Sequence, residues 1–171
     1  ECVDKLSTPE ENTEFSGDIL PSDGAEVYLR TDLALAPVKA YVWKNVEGAK
    51  ENEFGKVIIA REFASGTEMT VSPGETLVVD FGQNCASVPS FVFKAAEGTV
   101  LTCLPAELLN DGNGAKIRGM DGPEGSCHRE NLRIPHTGIR LDYTFASGDN
   151  YVAYYPHCTF FGYRYVSITS T

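Results

Sequence analysis

The run TEMTVSPGETLVVDF, residues 67 to 81, decides the fold. Thr67 to Ser72 and Glu75 to Phe81 are short runs rich in β-branched and aromatic side chains, the residue types that suit a pleated, half-buried surface. Between them Pro73-Gly74 fits the central positions of a type II turn, where proline fixes a negative φ and glycine accepts a positive one. Two short strands joined by a tight turn are the economical reading, and a hairpin makes neighbouring strands antiparallel.

The same grammar extends in both directions. Towards the N-terminus, Glu26 to Thr31, Val38 to Lys44 and Lys56 to Phe63 read as strands, separated by Ala36-Pro37, Glu47-Gly48 and Ser65-Gly66. Towards the C-terminus, Val88 to Ala95 alternates Val88, Ser90, Val92 and Lys94 against Pro89, Phe91, Phe93 and Ala95, with Pro89 marking a strand start or a sheet edge. Glu97-Gly98 then turns into Thr99 to Leu104, and further strands follow at Arg140 to Ala146, Asn150 to Tyr155 and Phe160 to Thr169. The one helical signal is a turn at Ala106 to Leu109. Short strands with a glycine or proline break roughly every 8 to 12 residues predict an all-β, antiparallel sandwich or jelly roll. The sandwich is expected to occupy residues 25–171. Residues 1–24 are polar, broken by Pro9, Gly17, Pro21 and Gly24, and read as a leader or linker.

Composition narrows the function classes. A chain of 171 residues that is 42% hydrophobic can bury one substantial core, as expected of a single domain. Its formal charge of −10 repels phosphate backbones and anionic lipid, which argues against nucleic acid or a membrane as partner. The first residues have neither the basic start nor the apolar run of a signal peptide, and no run is long enough for a transmembrane helix. A start at Glu1 without Met reads as a mature form or a piece of a longer protein. The five cysteines, Cys2, Cys85, Cys103, Cys127 and Cys158, are too scattered for a zinc pattern, and their odd number forbids complete internal pairing. Most are expected to pack as small hydrophobes. His128 beside Cys127 and His157 beside Cys158 point to opposite faces if they lie on strands, which argues against a shared metal.

Pro105 to Arg133, PAELLNDGNGAKIRGMDGPEGSCHRENLR, does not read as scaffold. It gathers carboxylates, amides, arginines and glycines with little apolar periodicity, and a loop of that length inside a compact domain is usually functional or disordered. Glu107, Asp111, Asp121, Glu124 and Glu130 invite a glycosidase reading, but no spacing here enforces the fixed separation that paired carboxylates need. A nucleophile elbow is absent, and Asp80-Phe81-Gly82 lacks every companion of the kinase motif it spells. Asn110, Asp111 and Asp121 are hard oxygen donors on glycine-bent backbone and make calcium a candidate ligand, although the EF-hand register fails at Ala115 and Lys116. No cofactor is otherwise called for. Arg118, Arg129 and Arg133 could instead pair with the acids and order the loop from within.

Four separated motifs carry a resemblance. Val79-Asp80-Phe81-Gly82-Gln83-Asn84, Gly98-Thr99-Val100-Leu101, Ala106-Glu107-Leu108-Leu109-Asn110-Asp111-Gly112 and Phe160-Phe161-Gly162-Tyr163-Arg164-Tyr165-Val166 together resemble, in order and spacing, the concanavalin-like β-sandwich of bacterial α-L-rhamnosidases. The chain departs at Ala86-Ser87, where the family often has Ala-Gly followed by an aromatic residue. The resemblance implies a multidomain, secreted or periplasmic glycoside hydrolase whose catalytic acids sit in a separate, inverting (α/α)6 barrel. No catalysis is then expected from this fragment. Its favoured role is structural support, with the adjacent catalytic domain of the same polypeptide as partner. The alternative is an autonomous module for L-rhamnose or rhamnose-containing glycans, calcium-dependent like some rhamnosidase-associated sandwiches. In that reading Glu107, Asn110, Asp111, Asn113 and Asp121 hydrogen-bond sugar hydroxyls while Trp43 or Tyr163 stacks on a ring face.

Overall fold

The computed structural model describes Gly24 and residues 28–132, 139–148 and 150–171. The chain divides into two compact units, Glu1–Ala34 and Leu35–Thr171. In the first, Thr31–Leu33 forms a single 3-10 turn in place of the strand expected to end at Thr31. The leader expected at residues 1–24 lies, Gly24 apart, outside the described residues, as does Arg133.

Among the described residues the second unit carries ten strands, and every ladder between them is antiparallel. They are β1 (Lys39–Glu47), β2 (Lys56–Phe63), β3 (Thr76–Ser87), β4 (Phe91–Phe93), β5 (Val100–Ala106), β6 (Leu108–Leu109), β7 (Cys127–His128), β8 (Leu141–Thr144), β9 (Val152–Tyr154) and β10 (Phe161–Ser170). Six form one sheet in the order β2-β1-β3-β10-β5-β8, while β4 pairs with β9 and β6 with β7 in two-stranded sheets. The expected helical turn at Ala106 to Leu109 is instead the end of β5, a bend at Glu107 and the two residues of β6.

The run that announced the fold behaves differently from expectation. The Pro73-Gly74 turn itself forms: Glu75 N–H donates to Ser72 O at 3.0 Å, the Glu75 carboxylate accepts from Ser72 N at 2.9 Å, and Gly74 takes φ +79°. Yet it does not join paired strands, because β3 pairs with β1 and β10 instead of with the residues before the turn. Thr67 to Ser72 joins no ladder and lies over the sheet, packing Met69 and Val71 against the core. Alternation of apolar residues marks one-sided burial, whether or not the backbone has a strand partner.

The large sheet is buried on both faces at its centre. On one face Ala40, Val42, Leu77, Val79, Val166 and Ile168 form a cluster that the 67–72 segment and Phe91 of β4 cover. On the other, Tyr41, Val78, Ala106 and Tyr165 pack beneath Trp43, Leu109 and Cys127. The second cover is thus drawn from the long segment that looked like an unstructured loop. Val42 and Val78 are both 0% exposed, and full burial of such a side chain contributes about 1.5–3 kcal/mol.

A bulge sets which aromatic faces which layer. Along the β3–β10 ladder Tyr163 opposes Cys85 but Tyr165 opposes Asp80, so Phe81, Gly82, Gln83 and Asn84 bow out against Arg164 alone. The extra residues turn the ladder over: Tyr163 enters the first cluster and Tyr165 the second, though residues two apart on a regular strand share a face. Asp80 holds the bulge. Its carboxylate accepts from Gly82 N at 2.7 Å, Arg164 Nε at 2.9 Å and Arg164 Nη2 at 3.0 Å, and Gly82 takes φ +81°. Replacing Asp80 by Asn is expected to cost about 1.5–3 kcal/mol of unfolding free energy in denaturant titrations, the range for a hydrogen bond to a charged group. Lys50→Ala, which removes an exposed ion pair to Glu53, should change stability by less than about 1 kcal/mol.

Candidate functional site

From Pro105 to Leu132 the chain is ordered by its own polar side chains. β5 delivers Ala106 to the second cluster, and β6 and β7 then pair as Leu108 with His128 and Leu109 with Cys127. Between these short strands the backbone returns on itself, with Asn110 N bonding Ser126 O at 2.8 Å and Gly125 N bonding Asn110 O at 3.0 Å.

Asn110 is 2% exposed and works as a hub. Its amide nitrogen donates to Asp121 Oδ1 and Ser126 Oγ, each at 2.9 Å, and its Oδ1 accepts from Asp121 N at 3.1 Å. Asp121 completes the knot. Its Oδ1 lies 2.9 Å from Asn110 Nδ2 and 3.1 Å from His128 Nδ1, and its Oδ2 accepts from Arg129 N at 2.7 Å and Glu130 N at 2.8 Å. A carboxylate acceptor at that distance requires the proton of His128 on Nδ1. Burial of Asp121 acts against its charge, but the bonds from Arg129 N, Asn110, His128 and Glu130 N outweigh it and hold the carboxyl below its ordinary pKa. Arg129 reaches back to Pro105 O at 3.0 Å and across to Ile139 O at 2.8 Å, closing the base of the segment.

The tip is laced to the β1–β2 connection. Phe54 N and Gly55 N both bond Gly114 O, Glu124 N bonds Gly55 O at 2.8 Å, and Val57 N bonds Glu124 O at 3.0 Å. Lys56 Nζ meets Glu124 Oε1 at 2.8 Å, and the Tyr41 hydroxyl donates to Gly125 O. Gly114 has to be glycine: at φ +77° a Cβ there would lie 2.6 Å from Gly55 O.

The residues singled out from the sequence fall into three places. Asn110 and Asp121 come together, but each is engaged by the other and by Ser126, His128 and the following backbone. Asp111 and Asn113 are exposed at the tip, Asn113 with φ +50° in a turn. Glu107 lies apart, its Oε1 accepting from Asn84 Nδ2 at 3.2 Å and its Oε2 from Asn131 Nδ2 at 3.1 Å. Of the two candidate stacking rings, burial corrects Tyr163 alone. Tyr163 is 3% exposed, with its ring edge-on to Phe81 at 5.6 Å, and Trp43 is half-buried against the second cluster. Tyr163 therefore has no free face for a sugar.

Chemically this is a lock more than a reaction centre. Asp121 has neither a proton to give nor a lone pair to offer without opening the segment. Among the described residues no group of three or more His, Cys, Asp or Glu side chains is placed to hold a metal ion. Cys85, Cys103, Cys127 and Cys158 are free thiols, and burial pushes Cys103 and Cys127 up to about 12, so these two behave as small hydrophobes. Sequence reasoning weighed His128 only as a metal ligand and did not single out Ser126, Asn84 or Asn131 as site residues. The signal for His128 was its neighbour: Cys127 belongs to the core side, so the alternating residue had to face the polar segment.

Comparison with known proteins agrees with this architecture. Residues 69–171 match the family model described as "Bacterial alpha-L-rhamnosidase concanavalin-like domain". An alpha-L-rhamnosidase of Alteromonas sp. (strain LOR) is 30% identical over 95 residues, which is 56% of this chain and 9% of that relative. The matched stretch thus spans less than a tenth of the length of the curated relative. No solved structure matches the chain.

Several carboxyls here share a depressed pKa, each with a donor as cause. Asp121 is joined by Asp80 beside Arg164, Asp142 beside Arg140, and Glu75, which Arg61 and the Ser72 N–H lower to about 2. A lowered folded-state pKa stabilises above the ordinary carboxylate range of about 4 and loses that contribution as the pH falls through the depressed value. Stability is therefore expected to hold at neutral pH and decline from about pH 4 towards 2. Asp121→Asn should lose roughly 2–3 kcal/mol at pH 7, because it turns an amide N–H towards donors, and its deficit should shrink as acid titrates the parent. Chemical denaturation at pH 7, 4 and 2.5 checks both parts.

Proposed function

Because the chain belongs to the bacterial alpha-L-rhamnosidase concanavalin-like domain family, we propose that it is a non-catalytic accessory sandwich of a rhamnosidase polypeptide. It supports a separate catalytic domain in the hydrolysis of rhamnose-containing glycans. The observation that carries this reading is the state of Asp121, whose carboxylate is fully engaged by donors of its own segment. The polar segment that gathers the candidate acids spends its best-placed one on order. Leu108 and Ile117, 55% and 57% exposed on the same segment, supply apolar surface against which a neighbouring domain can pack. A periplasmic or secreted location belongs to the same proposal. Among the described residues no helix is long and apolar enough to cross a membrane.

A second reading, a module that binds L-rhamnose, rests on Glu107. Its carboxylate is held between the Asn84 and Asn131 amides near the surface, a set of donors and acceptors suited to vicinal hydroxyls. Calcium would have to be held near Asp111 and the tip, since the oxygens of Asp121 are taken. Calorimetric titration of the purified chain with L-rhamnose, in calcium and then in chelator, separates the two roles. The accessory role predicts no heat and no thermal shift in either buffer, and no turnover of aryl rhamnosides. Saturable binding would move the assignment to the sugar module, and turnover that survives repurification would contradict both.

A further inference from the structure

Gly114 carries two constraints at once. Its carbonyl accepts from both Phe54 N and Gly55 N, the bonds that lace the tip of the 105–132 segment to the β1–β2 connection. At φ +77°, with Gly55 O 2.6 Å from where a Cβ would stand, a larger residue does not fit there. The residue before it is Asn113, so the fold maintains an asparagine-glycine pair, and the chain contains no other. In such a pair the glycine nitrogen can attack the asparagine side-chain carbonyl, because glycine has no Cβ to shield its own nitrogen.

Both reacting groups are unengaged. Asn113 is exposed in its turn at φ +50°, and among the described residues its side-chain amide makes no hydrogen bond. The Gly114 N–H likewise donates to no described residue. The other described asparagines lack one condition or both. Asn110 is buried and bonded to Asp121 and Ser126, while Asn84 and Asn131 donate to Glu107. Asn45, Asn52 and Asn150 precede Val46, Glu53 and Tyr151, whose side chains crowd the attacking nitrogen.

We propose that Asn113-Gly114 is a site of spontaneous self-modification that unlaces the tip from the β1–β2 connection. Hydroxide takes the Gly114 N–H proton, the nitrogen bonds to Asn113 Cγ, and the Cγ–Nδ2 bond breaks, the leaving nitrogen gaining a proton from water to depart as ammonia. Water then opens the five-membered imide. Cleavage between Gly114 N and Asn113 Cγ leaves an ordinary aspartate. Cleavage between Gly114 N and the Asn113 backbone carbonyl leaves isoaspartate, whose main chain runs through the former side chain and is one carbon longer. Gly114 is packed against Gly55 with no slack, so the added carbon displaces Gly114 O from the Phe54 and Gly55 N–H groups. The site is independent of the accessory role.

The test is incubation of the full chain in mildly alkaline buffer, folded and in denaturant, with ion exchange, peptide mass mapping and amide hydrogen exchange of the separated products. The folded chain should gain about 1 Da and one negative charge, confined to the peptide containing Asn113. Its rate should lie within about tenfold of the denatured chain's, since no hydrogen bond has to open first. In the isoaspartyl fraction the Phe54 and Gly55 amides should exchange at least about tenfold faster, while those of Arg129 and Glu130 stay protected. Freshly prepared Asn113→Asp, which adds the charge without the carbon, should keep Phe54 and Gly55 protected. A folded-state rate further below the denatured one, or earlier deamidation at another asparagine, overturns the site. Unchanged protection of Phe54 and Gly55 in the isoaspartyl fraction overturns the unlacing, and an equal loss in Asn113→Asp overturns the longer chain as its cause.

Discussion

Four hydrogen-bond donors converge on the Asp121 carboxylate, and the second layer of the sandwich depends on that convergence. The segment from Pro105 to Leu132 has too few apolar side chains to fold by burial. Leu109 and Cys127 are its anchors on the sheet, and everything beyond them must be ordered by polar bonds. One ionised carboxylate does this efficiently, because charged acceptors make shorter and stronger hydrogen bonds than neutral ones and can take several at once. Asn110 serves as the adaptor, offering donor and acceptor in the same buried amide. With the knot tied, the segment becomes a lid over Tyr41, Val78 and Tyr165.

The motifs that carry the family resemblance acquire a physical explanation from the same contacts. Asp80 and Arg164, from two of them, close on each other across the β3–β10 bulge. Asn84 at the end of the first motif bonds Glu107 in the third, and a Cβ at Gly162 in the fourth would lie 3.6 Å from the same Glu107 carboxylate. Segments distant in sequence meet along one bulged ladder, and the polar residues within them are the ones that hold the bulge in shape.

Much of the scaffold was legible in the sequence because short β-branched runs and glycine or proline turns are local signals. Lys56 to Phe63 coincides with β2, and the Pro73-Gly74 turn forms as its residue types require. Pairing was not legible. The hairpin inferred across that turn fails because β1 takes the place beside β3, and nothing in a local window records which strand a neighbour will choose. The site was half legible. Composition located Asn110 and Asp121 in one segment, but a carboxylate that binds a ligand and one that binds backbone N–H groups look alike in sequence. Tyr163 was misjudged for a related reason: an aromatic ring packed in a core and one exposed for stacking look alike in sequence, and here the ring is buried in the first cluster.

The central claim is that the acidic segment is a structural layer locked by Asp121. Native-state hydrogen exchange measures this at the amides concerned. The Arg129 and Glu130 N–H groups, which donate to Asp121, should exchange only with the cooperative opening that releases the buried strands β3 and β10, at a similar free energy. Exchange of these two amides at rates near those of an open chain, while β3 and β10 remain protected, would show a free loop and contradict the account.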